Sequence, residues 1–296
     1  MTLNITIVSR HFVYMSSDFR LTYQRLGRSI YYTDDEAQKI VLFSTLRFNA
    51  LVQFCGLAKA GSFDTSKWLA RLSQEISKNA PVSELLMQLR EANSNVRGDR
   101  ITFTVAGFEG SSVFAHLISN FQHINPSQDH TISRSLTRST LRVTGTHSFA
   151  TGLRKFVDSA QLRNLRRLVI GNAQPRRIQE RLAEVNAEAA TTAGPNGGIS
   201  TACFTGHLTS QKTGEITPHG VDEGRDYLPE FVMAQYTPAG LVLEAKLDSF
   251  GRPLPRRFIG MTLKSGSEDP NLPVETITTL AAFRNVQDPK TTQSTS

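Results

Sequence analysis

Cysteine is scarce: Cys55 and Cys203 are the only two in 296 residues. One pair cannot build a disulfide framework, so the fold has to rest on an apolar core, and a cytoplasmic location is the default expectation. Long hydrophobic runs are absent too. No apolar stretch is long enough to span a bilayer, so no membrane association is expected. The first residues carry no basic segment ahead of a long apolar core, so no secretory signal is readable. His116, His123, His130 and His147 fall in one region but form no His-x-x-x-His, and no Cys-x-x-Cys or carboxylate cluster accompanies them. Neither a metal nor a cofactor is expected. The glycine-rich run Gly194-Pro195-Asn196-Gly197-Gly198 follows a helical stretch and lacks a Lys-Ser/Thr ending, which excludes a phosphate-binding P-loop. No internal repeat is present.

Positive charge is in excess. The formal net charge is +7, and the densest basic stretch runs from Arg154 to Arg181. A solvated helical face or a subunit contact is the preferred reading of that stretch. Nucleic-acid binding is disfavoured as a partner class because no recognition motif accompanies the arginines. Apolar residues make up 39% of the chain and charged residues 20%, which fits a globular domain with a sizeable core.

The hydrophobic pattern then orders the chain. Leu3–Val8 and Phe12–Met15 are short apolar runs separated by Ser9-Arg10-His11, which predicts an antiparallel hairpin. A hairpin brings its outer ends together, so Thr2 and Asp18 should be neighbours. The segment 23–38, with Gly27 and Thr33-Asp34-Asp35-Glu36, reads as a loop. Lys39–Ser44 and Phe48–Cys55 read as strands closing a sheet with the first pair. Trp68, Leu69, Leu72 and Ile76 recur at helical spacing, and Pro81 opens a second helix with Val82, Leu85, Leu86 and Leu89 on one side.

Strands follow at Ile101–Val105 and Val113–Ile118, around a turn at Gly107–Ser112. Thr140–Thr144 reads as a strand and Ser148–Leu165 as largely helical. Pro175 opens a helix carrying Ile178, Leu182, Val185 and Ala189, and Ile199–Leu208 is a strand. Phe231–Tyr236, Leu241–Leu247 and Phe258–Leu263 are further strand candidates. Residues 285–296 read as a disordered tail.

Thr2 carries distinctive chemistry. Methionine before a small residue is normally trimmed, which would make Thr2 the first residue. A threonine at a free N-terminus holds a hydroxyl and an α-amine of reference pKa roughly 7.7–8.0, so it is nucleophile and base at once. The sequence here resembles the N-terminal-nucleophile hydrolases, in their proteasome β-subunit branch. That branch opens with threonine and a strand–turn–strand, then reaches Asp-x-Arg-x-Thr. This chain has Asp18-Phe19-Arg20-Leu21-Thr22, sixteen residues after Thr2. Gln38-Lys39-Ile40-Val41 matches the family's lysine context, and Val52-Gln53-Phe54-Cys55-Gly56 its oxyanion glycine. Thr144-Gly145-Thr146-His147-Ser148 resembles its Gly-Ser-Gly-Ser turn, and Gly197-Gly198 its late Gly-Gly.

The resemblance covers roughly residues 2–208 and implies an α+β fold, a four-layer αββα sandwich of two antiparallel sheets flanked by helices. It implies Thr2 as nucleophile and base, Asp18 and Lys39 as catalytic partners, Gly56 as oxyanion donor, and Arg20, Thr22, Thr146 and Asn196 in support. Residues 209–284 would be a strand-rich extension of the same domain. A peptide or unfolded-protein substrate, a homo-oligomeric ring and an ATPase partner are implied as well. The stretch Thr191–Asn196 has no acid where the family usually carries an aspartate ahead of Gly-Gly. That departure favours the alternative, a non-catalytic assembly protein with the same fold. Cys55 reads as a small buried hydrophobe.

Overall fold

The computed structural model describes residues 2–25, 28–34, 39–60, 63–95, 100–120, 132–135, 145–195, 197–210, 214–220, 232–237, 240–244 and 259–263. The first hairpin forms as its pattern dictates. Strand β1 (Leu3–Ser9) pairs antiparallel with β2 (Phe12–Asp18), and the Ser9 hydroxyl closes the turn by accepting from Phe12 N at 2.9 Å. Both strands are buried nearly throughout, so each of their faces must meet a packed layer.

Two layers do meet them. Leu3, Ile5 and Ile7 join a core with Leu165, Val169, Ile178, Leu182, Val185 and Ala189, which belong to helices α3 (Ser159–Ile170) and α4 (Pro175–Ala193). Val8, Val13 and Met15 face the other way, into a core with Leu42, Leu51, Ala106, Phe108 and Ala115 of a second sheet. That sheet's outer face, including Val41, Phe43, Val52, Phe103 and Val105, packs on Leu69, Leu72, Leu85 and Leu89 of helices α1 (Thr65–Glu75) and α2 (Val82–Asn95). The order of layers is therefore helices, sheet, sheet, helices, an α+β sandwich of four layers.

The first sheet has the order β12-β1-β2-β13-β14-β17-β15-β16, with β12 at Thr146–Gly152, β13 at Cys203–Thr209, β14 at Gly214–His219, β15 at Val232–Thr237, β16 at Gly240–Glu244 and β17 at Ile259–Leu263. Its pairs are antiparallel except β15 with β17, which is parallel. The second sheet runs β11-β10-β9-β6-β5, with β5 at Ile40–Ser44, β6 at Phe48–Gly56, β9 at Ile101–Glu109, β10 at Ser112–Ser119 and β11 at Ile132–Ser135. A Cβ on Gly206 of β13 would stand 2.8 Å from Leu51 Cδ1 of β6, so this glycine lets the sheets approach.

Helix ends follow local chemistry. Asp158 caps α3 by accepting from Gln161 N at 2.6 Å, and Gln161 returns a side-chain bond to Asp158 N at 2.9 Å. Pro175 opens α4, and Gly194 ends it at φ +73°. On the exposed side, Arg176 pairs with Glu180, and Arg181 with Glu184 and Glu188. Part of the basic stretch is thus neutralised within its own helix.

Several expectations need correction. The strands at 40–56 do not close a sheet with the first pair. They are buried on both faces, and that places them in the second sheet between α1/α2 and the first sheet. The segment read as a loop holds a separate two-stranded ribbon, β3 (Leu21–Arg25) with β4 (Arg28–Asp34). A second short ribbon joins β7 (Lys59–Ala60) to β8 (Phe63–Asp64). Residues 148–152, read as helix, lie in β12, because they complete the edge of the first sheet beside β1. Gly107 lies within β9, and the turn is confined to Gly110 and Ser111. Strand β13 starts at Cys203, later than expected, and β14 had no counterpart in the sequence reading. The strand expected at Thr140–Thr144, the tail at 285–296, and His123 and His130 lie outside the described residues.

Candidate active site

Asp18 ends β2 one position beyond the Asn4–Ser17 pair and opposite Cys203 of β13, and its carboxylate is fully buried. Oδ1 accepts from Leu3 N at 2.9 Å. Oδ2 accepts from Arg20 N at 2.9 Å and from Ser200 N at 3.4 Å. The Lys39 ammonium donates to the same Oδ2 at 3.3 Å and to the Arg20 carbonyl. Lys39 is also fully buried. A buried charge persists only with a partner and hydrogen bonds, and this pair has both. Three backbone N–H groups and one ammonium leave the carboxylate no freedom to turn.

Thr2 precedes Leu3 and is itself buried. Its carbonyl accepts from Leu153 N at 2.9 Å. Gly152, at φ +73°, pairs with Leu3, and a Cβ there would collide with the Thr2 carbonyl and stand 3.4 Å from Cys55 Cβ. The space a Gly152 side chain would need is thus bounded by the Thr2 carbonyl and Cys55, and Gly56 follows Cys55 at the end of β6. Gly56 has φ +101°, a backbone state that favours glycine, and it is exposed.

Thr2, Asp18, Lys39 and Gly56 thus gather at one end of the sandwich. Arg20 joins them through its backbone, while its guanidinium donates to the Pro195 carbonyl at 3.3 Å. Thr22 lies in β3, and its side chain and Asn196 fall outside what is described. Thr146 is not brought to this end. It pairs with Ser9 at the far end of β1, roughly 20 Å from Thr2 at the usual rise per residue. The residues that follow β1 to its Thr2 end are Gly152, opposite Leu3, and Leu153, whose N–H donates to the Thr2 carbonyl, because β12 starts at Thr146 and runs alongside β1.

Ser200 was missed as a site residue. Its hydroxyl accepts from Phe19 N at 3.2 Å and donates to the Ala202 carbonyl at 2.5 Å, and its own carbonyl accepts from Asn186 Nδ2 at 2.8 Å. It closes the stretch Gly197-Gly198-Ile199-Ser200 that carries the resemblance's late Gly-Gly, but nothing local ties it to Asp18, 182 residues away.

Burial pushes the Cys55 thiol up to about 11, against smaller opposing effects of the Thr102 hydroxyl, Lys39 and the Thr151 hydroxyl. Burial, with the Asp18 carboxylate adding to it, raises Cys203 as well. Both cysteines are therefore protonated and unreactive at neutral pH. Among the described residues no group of three or more His, Cys, Asp or Glu side chains could hold a metal. No helix among them is long and apolar enough to cross a membrane.

No protein-family model matches the sequence, and no match is found among curated proteins. Among solved structures the chain is similar to Anbu (ancestral beta-subunit) from Yersinia bercovieri, at 13% identity and a TM-score of 0.40, over 70% of this chain and 81% of that one.

Proposed function

We propose that this chain is a threonine-type N-terminal-nucleophile hydrolase that cleaves peptide bonds once Met1 is removed. The observation that carries the reading is the fully buried Lys39–Asp18 pair, whose carboxylate also holds the amide next to Thr2. A buried ion pair contributes little net stability over an apolar replacement, so a role in positioning charge at Thr2 accounts for it better. In this scheme the Thr2 hydroxyl attacks the carbonyl carbon, and the α-amine takes its proton. The Gly56 N–H receives the oxyanion, a donor worth roughly 10²–10³ in rate. The amine returns the proton to the leaving nitrogen, and water then releases the acyl group from Thr2. Lys39 favours the neutral amine and the developing alkoxide.

The assembly is proposed to be a homo-oligomeric ring, with unfolded protein as substrate and an ATPase as a candidate partner. The second reading is a non-catalytic assembly protein of the same fold. The absence of an acid in the stretch before Gly197 favours it.

Intact mass of the native protein, before and after a β-lactone probe, separates the two. Loss of Met1 and one adduct at Thr2, absent in Thr2→Ala, is the result expected of the hydrolase. Retained Met1, or a free Thr2 that never takes the probe, moves the conclusion to the assembly protein.

A further inference from the structure

The inter-sheet layer is apolar at one end and polar at the other. On β1, Val8 lies in the apolar core, while Asn4 and Thr6 share its face at alternate positions and are fully buried. Across the layer, Leu51 lies in the same apolar core, and Gln53 is the next residue on its face of β6. Gln53 sits directly opposite Thr104 of β9, and both are fully buried. The two sheets join here through side chains, since Gln53 Nε2 donates to Thr6 Oγ1 at 2.6 Å.

Three polar atoms in this patch have no protein partner: Asn4 Nδ2, Gln53 Oε1 and Thr104 Oγ1. Ser17 Oγ donates to Asn4 Oδ1 at 2.6 Å, which occupies the carbonyl of that amide and leaves its N–H groups unused. The orphans are thus an amide donor, an amide acceptor and a hydroxyl that can act as either. Buried polar atoms are costly to leave unmatched, and a water molecule needs two to four such partners. An ion would need several groups of one sign, whereas these are neutral and of mixed donor and acceptor character.

We propose that Asn4, Gln53 and Thr104 form an internal water-binding site between the sheets, on the same strand face as Thr2. Water accepts from Asn4 Nδ2, donates to Gln53 Oε1 and exchanges a hydrogen bond with Thr104. The site stands independently of whether Thr2 is a nucleophile.

A high-resolution crystal structure of the full chain tests it. The expected result is ordered water within hydrogen-bond distance of at least two of the three atoms. A direct Asn4–Gln53 amide contact, or a dry layer, overturns it. In solution, water ¹⁷O relaxation dispersion counts long-lived internal waters. Gln53→Met with Thr104→Val should lower that count, and an unchanged count in the folded variant overturns the proposal. Should that variant fail to fold, the crystal structure of the wild-type chain decides.

Discussion

Lys39 Nζ lies 3.3 Å from Asp18 Oδ2, and neither side chain has any solvent exposure. The two residues come from opposite sheets, Asp18 from the end of β2 and Lys39 from the residue before β5. Their pairing fastens the sandwich together at the end where Thr2 lies.

Removing one member of this pair should be worse than removing both charges. Lys39→Met leaves a buried carboxylate without its cation, and a loss of about 3–5 kcal/mol is expected. Asp18→Asn combined with Lys39→Met removes both charges and keeps an acceptor for Leu3 N, so it should recover part of that loss. Urea denaturation of both variants checks this. A double variant no more stable than Lys39→Met alone would contradict the charge argument.

Cys55 should make stability fall at alkaline pH. Its thiol is raised to about 11 in the folded chain, above the usual thiol range of about 8.5. The unfolded thiol therefore ionises first. The contribution is fully present below the unfolded value and is lost as pH rises through the folded one, over roughly pH 9 to 11. Stability from denaturation curves taken across that window should fall less steeply with pH in Cys55→Ala. The same burial predicts that native Cys55 resists alkylation at neutral pH and reacts only on unfolding.

Gly152→Ala should disturb Thr2 directly. The position has φ +73°, costing roughly 1–2 kcal/mol for an L side chain, and the new methyl group would also collide with the Thr2 carbonyl. Thermal unfolding should shift down by more than strain alone would give, and labelling of Thr2 should slow. Gly206→Ala is the control, because the atoms nearest its methyl group are side-chain ends, Leu51 Cδ1 at 2.8 Å and Cδ2 at 3.2 Å with Ile40 Cγ2 at 3.6 Å, and not backbone. A smaller loss of stability and unchanged labelling are expected there.

Ser200→Ala should loosen the support of Asp18. The change removes one of two acceptors for Phe19 N and one of two donors to the Ala202 carbonyl, leaving these groups only their mutual bond at 3.3 Å, at a cost of about 0.5–1.5 kcal/mol per lost bond. Hydrogen exchange should quicken at Phe19. Unchanged protection there would show that Ser200 is not the group holding this turn.

The sequence by itself determined the local geometry of this protein. The apolar runs Leu3–Val8 and Phe12–Met15, split by Ser9-Arg10-His11, made the first hairpin, and a hairpin needs only neighbouring chain to bring Asp18 to the Thr2 end of β1. Helical spacing likewise marked the buried faces of α1, α2 and α4, because one element's pattern is enough to tell which side seeks a core. Tertiary structure decided the rest. Lys39 reaches Asp18 only because β5 and β6 cross to the opposite sheet, and a strand buried on both faces carries no sign of which sheet it joins. Gly152 and Leu153, not Thr146, stand beside Thr2 because pairing with β1 draws residues 148–152 out of the helix their sequence suggested. Ser200 reaches Asp18 from far along the chain, held by Asn186 of α4. Contacts of that kind depend on how layers stack, and stacking is a property of the whole chain.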